Sequence, residues 1–111
     1  MKGIAAFACS MSVLATTALA QDKISIGFIT TLSGPTAVIG NDMKNSVELA
    51  LDHLGRKMGG KAVEMIYEDD QQKPDVGKQK TDKLVQQDKV PIVAGYIWSN
   101  VLLAAYKEAA D

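Results

Sequence analysis

Ile24-Ser25-Ile26-Gly27-Phe28-Ile29-Thr30-Thr31-Leu32-Ser33-Gly34-Pro35, residues 24–35, is the stretch whose reading decides the fold. Its first half is apolar on both faces, with Ile24, Ile26 and Phe28 on one side and Gly27 and Ile29 on the other. A strand buried on both faces has that pattern when helices cover a parallel sheet. Its second half is a tight turn built on Gly34 and Pro35. The turn leaves the carboxyl end of the strand, where open α/β sheets place their ligands.

Working outward, a connector over residues 32–40 is expected, longer than the ~2–6 residues usual between strand and helix. Asn41 is placed to cap the helix that follows, with Asp42 in its first turn. Met43, Val47, Ala50, Leu51, Leu54 and Met58 recur at spacings of three and four, one apolar helical stripe. Gly59-Gly60 ends it. A second strand is expected over 62–68, where Val63, Met65 and Tyr67 alternate with Glu64, Ile66 and Glu68. Its charged face suits the edge of a sheet. Pro74 opens a helix reaching residue 87, with Val76, Leu84 and Val85 inward and Gly77 a weak point. A third strand, apolar on both faces, covers 90–97. Trp98-Ser99-Asn100 follows, then a helix from Val101 through 110. The expected architecture is a doubly wound parallel α/β sheet with strand order 2-1-3.

The chain has 111 residues, 12 Lys plus Arg and 13 Asp plus Glu. So balanced a charge excludes a nucleic-acid or anionic-membrane footprint. Residues 1–20 read as a signal peptide: Lys2, an apolar run over 4–14, and Ala18-Leu19-Ala20 ahead of Gln21. The run is shorter than a bilayer span requires. The mature part, 21–111, then holds no cysteine, because Cys9 lies in the leader. Under a 2-1-3 order the third strand is an unprotected apolar edge, and the last residues stop in mid-helix. The chain is therefore expected to be the amino-terminal part of a longer protein.

In that topology the switch point lies between the first and third strands, where the 32–40 and 98–101 connectors meet. Ser99 there has two readings: it holds a ligand carboxylate together with the N–H groups near Asn100, or it caps its own helix. Trp98 forms an apolar wall or packs in the core. Ile39 is placed to face the same crevice. Glu68-Asp69-Asp70 lies at the outer strand, before a helix start, and reads as structural. No G-x-G-x-x-G and no phosphate loop is present. His53, the one histidine, has no partner spacing for catalysis or a metal. No catalytic residue, no metal and no cofactor is expected.

Leu32-Ser33-Gly34-Pro35, Gly40, Ala50-Leu51-Asp52-His53-Leu54-Gly55, Gly59-Gly60-Lys61, Tyr67-Glu68-Asp69-Asp70, Lys73-Pro74 and Asp88-Lys89-Val90 stand in one ordered set. In this the chain resembles the leucine/isoleucine/valine-binding family of periplasmic substrate-binding proteins of ABC transporters, over residues 21–111. The resemblance implies a two-lobed type I binding protein, monomeric when full length and periplasmic after cleavage at Ala20. Such a protein delivers a small ligand to a permease and catalyses nothing. It implies that Ser99 helps hold the ligand carboxylate and that Ile39 lines the side-chain pocket. Ile39 stands where branched-chain binders often carry an aromatic, and Trp98 and Asn100 replace small residues beside Ser99. Relatives of this type include binders of aromatic carboxylates, so the substrate stays open. The alternatives are the ligand-sensing outer domain of a receptor and an exported α/β enzyme with its catalytic groups elsewhere.

Overall fold

The first strand pairs on both sides, which fixes the rest. The computed structural model describes residues 22–110. β1 (Lys23–Thr30) runs parallel to β3 (Lys61–Asp69) on one side and to β4 (Ile92–Ala94) on the other. A short antiparallel strand, β2 (Lys57–Met58), adds to the outside of β3, so the sheet order is β2-β3-β1-β4. The three long-range strands therefore stand in the expected 2-1-3 order, and β2 is an addition to it. The expected signal peptide, residues 1–20, lies outside the described residues.

Alternation along β1 divides the core. Ile26 and Phe28 face α1 (Ala37–His53), meeting Val47 and Leu51 across an apolar groove of about 400 Å³ that also takes in Met65 and Ile92. Phe28 and Tyr67 meet edge to face there, with ring centroids 5.7 Å apart. Gly27 and Ile29 face the opposite side, where Ile29, Leu84 and Val90 form the buried cluster and Ile66, Val93 and Tyr96 pack against it. Leu84 comes from the helical stretch that begins as α2 (Pro74–Asp82) and continues as one π-type turn over Lys83–Gln87. α3 (Ser99–Ala110) lies against α2, and Val101 fills the space that Gly77 leaves open. Gly77 is thus a packing choice rather than a break.

Several boundaries differ from the sequence reading, among them the start of α3, which is Ser99 rather than Val101. α1 starts at Ala37, not after Asn41: Thr36 is its cap and makes no side-chain capping bond, while Asn41 Nδ2 donates to Ala37 O at 2.8 Å. The turn Gly34-Pro35-Thr36 already closes a backbone bond from Ala37 N–H to Gly34 O, so the helix begins one turn early. α1 ends at His53, because Leu54, Gly55 and Arg56 donate their N–H groups back to the last carbonyls, Ala50 to Asp52. Met58, read as helical, belongs to a hairpin. Gly59 and Gly60 have φ of 57° and 78°, the pair of positive values that a two-residue type I′ loop requires.

β4 is three residues long rather than eight. Gly95 (φ 99°) turns the chain across the end of β1, where a Cβ would lie 2.7 Å from Ile29 O and from the Phe28 ring. Residues 96–98 therefore leave the sheet. The charged face of β3 is not simply an edge feature either. Glu68 points to the α2 side and pairs with Lys80 at 2.9 Å and Lys83 at 2.6 Å.

Candidate functional site

Thr31 sits one residue past β1 and is fully buried. Gly40, in the first turns of α1, lies so close that any side chain there would overlap the Thr31 carbonyl. From the other connector, Trp98 Nε1 donates to Thr31 Oγ1 at 2.9 Å. The connector after β1 and the connector after β4 thus meet on one residue at the carboxyl end of the sheet. This is the crevice that the 2-1-3 topology dictates.

Ile39, next to Gly40, lies in the first turn of α1 and is 43% exposed. It lines a cleft of about 570 Å³ with Phe28, Asp42, Met43, Ser46 and Val47. Trp98, Ser99 and Asn100 are not part of that cleft's lining; they stand beyond Thr31, on the α3 side. Trp98 is half-buried, and its indole is engaged with Thr31 rather than sunk in the apolar core.

Ser99 does not cap α3. The Trp98 carbonyl accepts the first helical bond, from Leu102 N–H at 3.0 Å, which makes Trp98 the cap residue and Ser99 the first residue of the helix. Ser99 and Asn100 are both exposed. The N–H groups of Ser99, Asn100 and Val101 precede that first bond, so they point out of the helix end with its partial positive charge. The hydroxyl of Ser99 is free of the capping role the sequence allowed it.

The acidic run holds the corner together. Asp69 Oδ1 accepts the N–H groups of Leu32 at 2.8 Å and Gln71 at 2.9 Å. Burial pushes the Asp69 carboxyl up, but the bonds from Ser33, Leu32 and Gln71 outweigh it and hold it below the usual range. Asp70 is fully buried; its Oδ1 accepts the Thr31 hydroxyl at 2.6 Å and Gln72 N–H at 2.8 Å. These carboxylates therefore do structural work, but on the connector after β1. They make no side-chain cap of α2, whose cap residue is Lys73. The sequence reading gave neither Thr31 nor Gly40 a role at the site, although Gly40 stands in the ordered set that carries the resemblance. A polar pair, Thr30-Thr31, ending an apolar strand was the available signal.

Among the described residues no group of three His, Cys, Asp or Glu is placed to hold a metal ion. No described helix is long and apolar enough to cross a membrane.

Known proteins share this arrangement. Leu/Ile/Val-binding protein homolog 6 of Brucella abortus is 32% identical over 100 residues, which is 89% of this chain and 26% of that protein. The solute binding protein of an ABC transporter from Rhodopseudomonas palustris BisB5, solved with 3,4-dihydroxybenzoic acid, superposes with a TM-score of 0.72 at 31% identity, over 75% of this chain and 23% of that one. The branched-chain amino acid transporter substrate binding protein LivJ from Streptococcus pneumoniae, solved with isoleucine, gives 0.74 at 30% identity, over 79% and 26%. The chain spans about a quarter of the length of the relatives it matches. Residues 23–111 match the family described as periplasmic binding protein, and with the sheet order and the converging connectors this establishes that the chain belongs to the periplasmic binding protein family.

Proposed function

We propose that this chain supplies one wall of the ligand cleft of an exported solute-binding protein that serves an ABC transporter. The ligand is a small carboxylate, an amino acid or an aromatic acid. The observation that carries this reading is the meeting of both switch-point connectors on Thr31. Ser99 and the free N–H groups at the start of α3 hold the carboxylate, since a helix amino terminus favours an anion without a basic side chain. Ile39 and Trp98 supply apolar walls on either side, and Asn100 a polar contact at the rim. The remaining contacts come from the part of the protein outside this chain, so ligand capture is a closure between two surfaces. Residues 1–20 direct export to the periplasm, residues 21–111 begin the binding domain, and the partners are the ligand and the permease subunits.

The relatives support both ligand classes, because one is solved with isoleucine and another with 3,4-dihydroxybenzoic acid. Thermal shift and calorimetry of the full-length protein against leucine, isoleucine, benzoate and 4-hydroxybenzoate test the reading. A ligand at about 100 times its Kd adds ~2.7 kcal/mol to stability. No shift and no heat with any amino or aromatic carboxylic acid would refute it.

A further inference from the structure

Trp98, Thr31 and Asp70 form a directed hydrogen-bond chain from the start of α3 into the interior. An indole N–H only donates, so Thr31 Oγ1 must accept from Trp98 Nε1, at 2.9 Å. Its single hydroxyl hydrogen is then committed to Asp70 Oδ1, at 2.6 Å. Asp70 has no freedom to follow another partner. It is fully buried, its Oδ1 also takes Gln72 N–H, and its own N–H is spent on Thr30 O at 3.1 Å. Asp70 Oδ2 is buried too and has no protein partner among the described residues, so the carboxylate is held in this interior for the bonds its other oxygen makes. A buried polar group this incompletely paired is unfavourable for folding alone.

We infer that Asp70 and Thr31 are positioning residues for ligand binding: they orient the Trp98 indole as a fixed wall of the cleft without touching the ligand themselves. This rests on the proposed role of Trp98 in the cleft. Trp98 is also the cap residue of α3, so fixing its ring fixes the register of the helix end that carries Ser99. Removing the Thr31 hydroxyl frees the indole to leave its rotamer. Apolar contact with the ligand is then lost while the sheet is untouched.

Trp98 is the single tryptophan of the 111 residues, and Trp98→Phe gives the reference spectrum that isolates it in the full-length protein. The measurement is acrylamide quenching of Trp98 in the ligand-free protein, for the wild type, Thr31→Ser and Thr31→Val. The expected result is a quenching constant at least doubled in Thr31→Val and unchanged in Thr31→Ser, which keeps the hydroxyl. Affinity for benzoate or isoleucine should fall about tenfold in Thr31→Val, the loss of roughly one hydrogen bond's worth of positioning. Equal quenching in Thr31→Val and wild type, or an increase in Thr31→Ser as large as in Thr31→Val, would overturn the proposal. Should Thr31→Val fail to fold, the wild type decides alone: its Trp98 indole N–H must exchange with solvent far more slowly than a free indole, and exchange at the free rate overturns the proposal. Titration of the wild type separates the two layers. Binding by the wild type with undiminished binding by Thr31→Val sinks the positioning role only. A wild type that binds neither probe, nor any related acid, sinks the cleft assignment and the ligand half of this inference with it.

Discussion

Gly40 and Thr31 touch backbone to backbone: a Cβ on Gly40 would overlap the Thr31 carbonyl and reach within 3.0 Å of Thr30 Oγ1. The two nearest obstructing atoms, the carbonyl oxygen and carbon of Thr31, belong to the main chain just past β1, so they cannot swing aside as a side chain would. This one close approach brings the start of α1, and Ile39 with it, to the carboxyl end of the sheet.

Gly40→Ala is therefore expected to lose about 3 kcal/mol or more of stability, at the upper end of the usual range for overpacking. Gly77→Ala is the comparison. It would meet Val101 Cγ1, a side-chain atom that can move, and so should lose less. Urea unfolding of the two variants in parallel checks the order, and an equal loss would contradict the backbone argument.

Ser99→Ala should separate binding from stability. A helix cap replaced by Ala loses about 1 kcal/mol, but Ser99 is the first helical residue and is exposed, so the unfolding free energy should change by less than ~0.5 kcal/mol. Affinity for the carboxylate ligand should fall about tenfold, the loss of a hydrogen bond to a charged group. Chemical denaturation and calorimetry on the same preparation give both numbers.

Acid should loosen the corner. The folded Asp69 carboxyl lies below its ordinary value of 3.8, and Glu68 below 4.5, where burial is outweighed by Lys83 and Lys80. A depressed folded pKa adds stability that is fully present above the unfolded value and is lost as pH falls through the folded one. The thermal midpoint should hold down to about pH 5 and fall below about pH 4. Asp69→Asn should be less stable than wild type by about 1 kcal/mol at pH 7, and the gap should close as the pH falls. A gap that stays constant with pH would mean that the Asp69 charge plays no part.

Gly27 and Leu84 should show coupled mutational effects. A Cβ on Gly27 would lie 2.8 Å from Leu84 Cδ1, and Leu84 is fully buried. Leu84→Ala alone should lose about 2–5 kcal/mol, and Gly27→Ala alone about 1–3. In the double variant the new methyl enters the vacated space, so the combined loss should be smaller than the sum by about 1 kcal/mol. Additivity in a denaturant-unfolding cycle would show that the two residues do not share the space.

By itself the sequence determined the class and the order of the sheet. Two-faced apolar strands alternating with helical stripes are buried by a parallel α/β arrangement, and the charged-faced strand was read as flanking the first, as β3 does. The sequence reading expected Ile39 and Ser99 on the two connectors that topology brings together; Ile39 lies instead in the first turn of α1 and Ser99 is the first residue of α3. Tertiary structure alone decided what those connectors rest on. Gly40 reads as a loop residue until the Thr31 carbonyl occupies the space where its side chain would be. Gly95 reads as strand until Ile29 and Phe28 force the chain over them. Trp98 holds the capping position expected of Ser99, and its indole is tied to Thr31, sixty-seven residues away. Local pattern records which faces are apolar; it holds no trace of a close approach between atoms far apart along the chain, and those approaches set the geometry of the cleft.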